Sequence, residues 1–378
     1  MGFELELDEN AAEGIKRIIL ERVDYVHELM VNPNPTREKA VHEARKSFKR
    51  IRAALRLVRD GTGEAWYREQ NMFIRDTSRL LAPVRDSAVL VEVLDGLTAE
   101  YADVVPPETF DSIRAKLVGR SERIISELLD EKDVLSEAAW QMKQFRPVIA
   151  AMPVRSKGFD TFAAGLQRVY RQGRQAMRSA LEDPDDPVKF HEWRKRVKYL
   201  WYHMDILQQA WPLMLSDTAN ELHLASDFLG DAHDLVELKE TILGDPVFLE
   251  NEPNLVTLLA LADRRRRELE EASWTLGQRL YSEKPRDFVA RIRSYWDAWQ
   301  ADQPATREAL QSALANKALA KSEPVKARGL LSTREAAQRT GKTVREIRAS
   351  IRRGELEAVK IGRVWVIEGS QLSAVGRR

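Results

Sequence analysis

His42-Glu43-Ala44-Arg45-Lys46-Ser47-Phe48-Lys49-Arg50-Ile51-Arg52-Ala53-Ala54-Leu55-Arg56-Leu57-Val58-Arg59 reads as one helix that sorts its charges. At about 100° per residue, Val41, Ala44, Phe48, Ile51, Leu55 and Val58 form an apolar stripe, and His42, Arg45, Lys49, Arg52 and Arg56 line the adjacent face. That face carries no acid, and the run's one carboxylate, Glu43, points almost opposite. A solvated helix normally interleaves Glu with Lys or Arg four residues apart. Two unit charges about 6 Å apart at an effective dielectric near 20 repel by about 3 kcal/mol, and full solvation cuts this several-fold. A like-charged row held in register beside an apolar stripe is therefore costly unless a polyanion neutralises it. The plainer reading, a basic face bathed in solvent, is the commoner use of a Lys/Arg run and leaves the missing glutamates without a reason.

Outward from this stretch the chain reads as helix after helix. Ala12, Ile15, Ile18, Ile19 and Val23 share one face of a first helix running to about Leu29, which Asn32-Pro33-Asn34-Pro35 ends. Phe3-Glu4-Leu5-Glu6-Leu7 is a short alternating lead-in. After Gly61-Thr62-Gly63 a third helix, Glu64 to Leu81, carries Arg68, Arg75 and Arg79. Pro83 to Asp86 reads as a turn, with Asp86 or Ser87 capping a helix from Ala88 to Leu97. Pro106-Pro107 then precedes a helix from Phe110 to Leu129. Short breaks without a sustained period of two predict an antiparallel bundle.

The pattern then recurs. Phe190-His191-Glu192-Trp193-Arg194-Lys195-Arg196-Val197-Lys198-Tyr199-Leu200 repeats His-x-x-Arg-Lys-x-x-Lys 149 residues after His42. Gly165-Leu166-Gln167-Arg168 answers Gly14-Ile15-Lys16-Arg17, and the segment around His233-Asp234 answers that around Arg85-Asp86. Matching flanks make coincidence a poor explanation. The expected fold is therefore mainly α: a tandem pair of antiparallel four-helix bundles, about residues 8–150 and 155–300, within a domain spanning 1–300. The second copy lacks counterparts of Arg52 and Arg56, so the first half should carry more of the charge.

Composition narrows the class. Charged residues are 31% of the 378, against about a quarter in an average protein, yet the net charge is only +1. Anion binding must then come from how charge is distributed. With no cysteine, disulfides, thiolate metal sites and cysteine nucleophiles are excluded. No apolar run of membrane-spanning length and no signal-peptide pattern appear, so a cytoplasmic protein without a membrane partner is expected.

Residues 301–328 read as a partly helical linker rich in Ala, Gln and Lys. From Arg328 onward twelve Lys and Arg face five Glu, a surplus of seven positive charges. Leu330-Leu331-Ser332-Thr333-Arg334-Glu335-Ala336-Ala337 predicts a helix with a Ser332/Glu335 capping box. A second helix, Thr343 to Arg353, places Arg345, Arg348 and Arg352 away from Val344, Ile347 and Ile351. Val359 to Ile367 reads as a hairpin around Gly362-Arg363, with Lys360 on it. Residues 329–378 thus predict a small winged helix-turn-helix domain. Most of residues 329–375 resembles the excisionase-like helix-turn-helix group, which implies DNA as a partner, with Arg345, Arg348, Arg352, Lys360 and Arg363 as contact residues.

The paired motifs, His42-x-x-Arg45-Lys46-x-x-Lys49-Arg50-x-Arg52 and His191-x-x-Arg194-Lys195-x-x-Lys198, with Arg85-Asp86 and His233-Asp234, resemble the CHAD family, the conserved-histidine α-helical domain. The resemblance covers about residues 8–300. It implies two bundles facing across a basic channel that binds inorganic polyphosphate, often on polyphosphate granules. The residues it makes candidates are His42, Arg45, Lys46, Lys49, Arg52 and Arg56, with Arg17, Arg75 and Arg79 from neighbouring helices. In the second half they are Arg168, Arg171, Arg174, His191, Arg194, Lys195 and Lys198. Phosphate chains repeat their charge every few ångströms, which a helical row of Lys and Arg matches with charge-assisted hydrogen bonds.

The competing reading is a metal-dependent phosphohydrolase built from His191, His203, His223, His233, Asp234 and Asp263. The repeat argues against it, because the first half has Arg85-Asp86 where the second has His233-Asp234. No Gly-rich phosphate loop and no His-Glu-x-x-His appear. A binding protein with no cofactor, no metal and no catalytic residue is the expectation.

Overall fold

The computed structural model describes residues 2–6, 9–154, 158–250, 252–302, 312, 330–340, 347, 350–351, 356, 358–361 and 364–368. They divide into two compact units, 1–300 and 301–378. The first is helical throughout its described elements: α1 (Ala11–Val31), α2 (Arg37–Leu57), the short α3 (Arg59–Thr62), α4 (Glu64–Leu80), α5 (Ala82–Glu100), α6 (Asp111–Ile125) and α7 (Val134–Ala150) make the first half. The second half comprises α8 (Asp160–Glu182), α9 (Pro187–Leu207), α10 (Pro212–Gly244), α11 (Leu255–Leu280) and α12 (Pro285–Ala301). No described helix is long and apolar enough to cross a membrane.

Local chemistry explains where the two motif helices begin. Thr36 caps α2 by accepting from the Lys39 N–H. Asp186 caps α9 by accepting from the Val188 N–H, with Pro187 in the first turn. Pro83 does not make a turn as the sequence suggested. It sits in the first turn of α5, which starts at Ala82, where a missing N–H leaves nothing unsatisfied. Asp86 is therefore a residue of α5's first turns and not its cap.

The apolar side chains form two clusters, and neither stays within one half. The larger joins Ile18, Phe48 and Phe145 of the first half to Phe162, Trp193 and Tyr281 of the second. The smaller joins Leu94, Phe110 and Leu117 of α5, α6 and the turn before α6 to Leu238, Phe248 and Leu258. The repeat expected from sequence is thus a repeat of elements, while both cores are shared across it. The lead-in also crosses over: Leu5 is buried and its N–H donates to the Ile206 carbonyl at 3.0 Å.

In the second unit, β1 (Leu330–Ser332), β2 (Ala358–Ile361) and β3 (Val364–Glu368) form an antiparallel sheet in the order β1-β3-β2. The expected hairpin is present, with Lys360 opposite Trp365. Helix α13 (Thr333–Thr340) starts directly after Ser332, where the capping box placed it, and Leu330–Ser332 before it pairs with β3. Arg345, Arg348, Arg352, Arg363 and nearly all of 303–329 lie outside the described residues.

Candidate anion-binding cleft

Helices α2, α5, α6, α9 and α10 enclose a cleft of about 640 Å³. From α2 come His42, Arg45, Lys46, Lys49 and Arg52, and from α9 His191, Arg194, Lys195, Lys198, Tyr199 and Tyr202. The equivalent motif positions of the two halves therefore share one space. Helix α5 adds Arg85 and Asp86, α6 adds Arg120, and α10 adds His233, Asp234 and Glu237.

The helices cross at the buried His203, whose Nε2 lies 2.9 Å from the Ala53 carbonyl oxygen. Nearby, a side chain on Gly165 of α8 would collide with the Leu57 carbonyl oxygen, so close approach of α8 to the end of α2 depends on glycine. These contacts fix the spacing of the two basic rows.

Three cleft cations, Lys49, Lys198 and Arg194, make no ion pair among the described residues. Arg194 lies beside Gly230 of α10, where an added Cβ would come within 3.5 Å of the guanidinium, and its Nε is buried without a hydrogen-bond partner. Burial first, then Lys198, Arg194 and Arg45, push the Lys49 ammonium down to about 7, against a weaker opposing pull from Asp86. Lys198 falls to about 8, by burial and then Arg194, against opposing pulls from Asp227 and Asp234. The same causes keep the histidines neutral near pH 7: burial and then Lys195 and Arg194 lower His191 to about 4, and burial and then Arg194 lower His233 to about 3. Their rings lie 4.2 Å apart. His42 is also lowered, by burial and Arg85.

Other cleft cations already have partners. Arg45 donates to Asp86 at 2.9 Å and Arg85 holds Glu92 at 2.8 and 2.9 Å. Lys46, which lies beside the row and not in it, meets Glu43 at 3.0 Å. Lys195 pairs with Glu192, Arg52 Nε donates to Asn71 at 3.0 Å, and Arg120 pairs with Asp245 at 3.3 Å.

Nine of the sixteen residues picked from sequence line the cleft; the other seven do not. Arg17 is tied to Glu9 at 2.6 Å and Glu21 at 3.0 Å, and its repeat partner Arg168 pairs with Asp60. Arg75 and Arg79 both pair with Asp76. Arg174 donates to the Glu283 carbonyl at 3.2 Å, Arg171 is exposed, and Arg56 stacks on Tyr199 beyond the lining. All but Arg56, a member of the α2 row itself, were chosen for charge on a neighbouring helix, and nearby acids or carbonyls claim most of them. Arg85 and His233-Asp234 were visible as repeat features but not chosen, and Arg120 carries no sequence signal because α6 has no motif.

Of the residues of the phosphohydrolase reading, His191, His233 and Asp234 share the cleft and the other three lie elsewhere. His203 is in the core, His223 stacks on Trp201 at 4.0 Å and pairs with Asp227, and Asp263 pairs with Lys239. Among the described residues no three His, Asp or Glu side chains are placed to hold a metal ion.

An all-helical unit with an internal repeat and a cation-lined cleft between its copies defines the class of protein. The chain belongs to the CHAD domain family, whose profile matches residues 22–243. Among solved structures it is similar to PptA from Streptomyces chartreusis, with 14% identity and a TM-score of 0.48 over 73% of this chain and 100% of that one. It is also similar to the CHAD domain from the plant Ricinus communis, with 16% identity and a TM-score of 0.45 over 80% and 96% of the two chains. No curated protein matches it.

Proposed function

We propose that the cleft binds inorganic polyphosphate and that the protein acts as a binding protein and not as an enzyme. The observation that carries this reading is the group Lys49, Lys198 and Arg194, buried together and mutually repelling, with no salt bridge among the described residues and only weaker opposing pulls from Asp86, Asp227 and Asp234. Water is partly excluded from them and the nearby carboxylates offset only part of that loss, since both lysines stay below their ordinary values, so the free cleft bears an electrostatic cost that a polyanion removes. Membership of a family linked to polyphosphate binding supports the same ligand. Phosphate oxygens accept in many directions, which suits ammonium and guanidinium groups converging from two helices.

Titration of labelled polyphosphate across salt concentrations tests this. Affinity should fall steeply with salt, by the counterion release that accompanies polyanion neutralisation, and the variant Lys49→Ala/Arg194→Ala/Lys198→Ala should lose most of it. Binding that ignores salt, or that survives the triple change, overturns the assignment. Orthophosphate release on adding Mn²⁺, abolished by His233→Ala, would establish the hydrolase reading instead.

For the second unit we propose an excisionase-like winged domain that binds DNA, with Arg345, Arg348 and Arg352 in the major groove and Lys360 and Arg363 on the wing. Its support is the β2–β3 hairpin and the positive surplus of residues 328–378. The protein would then link polyphosphate, including granules, to DNA. Removing residues 329–378 should abolish DNA retardation and spare polyphosphate binding.

A further inference from the structure

On α2 the cleft lining ends at Arg52, opposite an α9 wall that includes Tyr199 and Tyr202, but the cations continue outside the lining. Arg56, one turn beyond Arg52 on α2, places its guanidinium 4.2 Å from the centre of the Tyr199 ring. Its Nε is buried without a hydrogen-bond partner, and no acid among the described residues pairs with it. On α9, Arg196 has Glu192 as its one acid partner among the described residues, at 3.4 Å, and that carboxylate is already taken by Lys195. The Tyr199 hydroxyl makes no hydrogen bond among the described residues. Burial alone would raise the Tyr199 phenol, yet Arg56, Arg52, Arg196 and Lys195 together hold it below its ordinary value. A phenol stabilised toward its anion by four cations reports a local field suited to a negative ligand.

Building on the polyphosphate reading above, we propose that Arg56, Arg196 and Tyr199 form an outer arm of the site, which takes the part of a long polyphosphate chain that overhangs the cleft. The α2 row from His42 to Arg52 spans about 15 Å. Tripolyphosphate is shorter than this row and stays within the cleft; a long chain leaves it past Tyr199. There Arg56 and Arg196 supply charge, and the Tyr199 hydroxyl donates to a phosphate oxygen from a ring held in place by the stacked guanidinium. The arm thus makes affinity depend on chain length.

The test compares tripolyphosphate with long-chain polyphosphate on the full chain and on Arg56→Gln/Arg196→Gln, with Arg196→Gln alone as the milder variant should the pair disturb folding. Long-chain affinity should weaken by about tenfold in the double variant, the loss expected for two charge-assisted contacts, with tripolyphosphate affinity unchanged. As a second readout, alkaline titration of tyrosine absorbance should show one phenol, missing in Tyr199→Phe, that moves to higher pH with long-chain polyphosphate and stays put with tripolyphosphate. Equal losses for both ligands would place these arginines' effect in the cleft and overturn the arm, and so would no loss for either. If the unaltered protein binds neither ligand, the polyphosphate reading itself falls and takes the arm with it.

Discussion

Lys49 shows how a single residue couples charge, protons and ligand. Folding lowers its ammonium from 10.5 to about 7, so between these values the unfolded chain holds a proton that the folded protein has released. Stability of the free protein should therefore rise as pH increases through that window, by linkage. Bound phosphate reverses the balance by favouring the charged form. Polyphosphate binding at pH 8 should then take up protons, which calorimetry in buffers of different ionisation enthalpy measures directly. Lys49→Arg, which stays charged, should keep binding and lose most of that uptake; unchanged uptake would exclude Lys49 as its source. Asp86 makes the opposite case. Its pairing with Arg45 competes with any phosphate for that guanidinium. Asp86→Asn should tighten polyphosphate binding several-fold, and as a partly exposed ion pair its loss should cost about 1 kcal/mol of stability or less. Weaker binding in Asp86→Asn would mean that the carboxylate positions Arg45 for the ligand.

The element scale is where the sequence was most and least informative. The row on α2 and its echo on α9 were legible because both apolar stripe and charges obey the same 3.6-residue period, and the repeat marked which positions belong together. What the period cannot convey is which acid on another helix faces a given cation. Arg17 and Arg168 looked like site residues because they repeat, yet both are ties to acids, Arg168 reaching from α8 to Asp60 between α2 and α4. Arg17→Ala should therefore lower the melting temperature and leave polyphosphate affinity unchanged, as thermal unfolding and titration of one preparation would report. Pro83 misled for a related reason: proline ends a helix and also begins one, and the choice was made by α5 packing near α2. The repeated glycines likewise gain meaning only from their neighbours. At Gly165 the obstacle is the backbone of α2, which cannot swing aside as a side chain can. Gly165→Ala should cost about 2 kcal/mol or more, the penalty of overpacking a rigid contact, and should weaken binding as well, since α8 props the helix that carries the basic row. Near-native stability in Gly165→Ala would show that α2 can move.

For the whole molecule, the shared cores decide what can stand alone. A tandem repeat invites the idea that each half is a domain, but Phe48 and Phe145 lie in one apolar cluster with Phe162 and Trp193, and Leu94 lies in another with Leu238. Polar ties cross in the same way: Lys116 and Ser112 reach Glu252 at 2.6 Å each, and Asn254 donates to the Thr109 carbonyl at 3.1 Å. Splitting the chain at residue 150 would expose both cores. Each large apolar side chain returned to water costs about 1.5–3 kcal/mol, and a domain's stability is about 5–15 kcal/mol, so uncovering a handful is enough. A fragment of residues 1–150 should lack a cooperative melting transition and bind dyes that report exposed apolar surface, whereas 1–300 should melt in one transition. The consequence reaches the ligand, because the cleft needs Lys49 from one half and Lys198 with Arg194 from the other. Mixing separate fragments 1–150 and 151–300 should restore helicity and polyphosphate binding together, since the same contact surfaces create both. Binding by 1–150 alone with affinity near that of 1–300 would show that one basic row suffices, and that the second half serves only to fold the first.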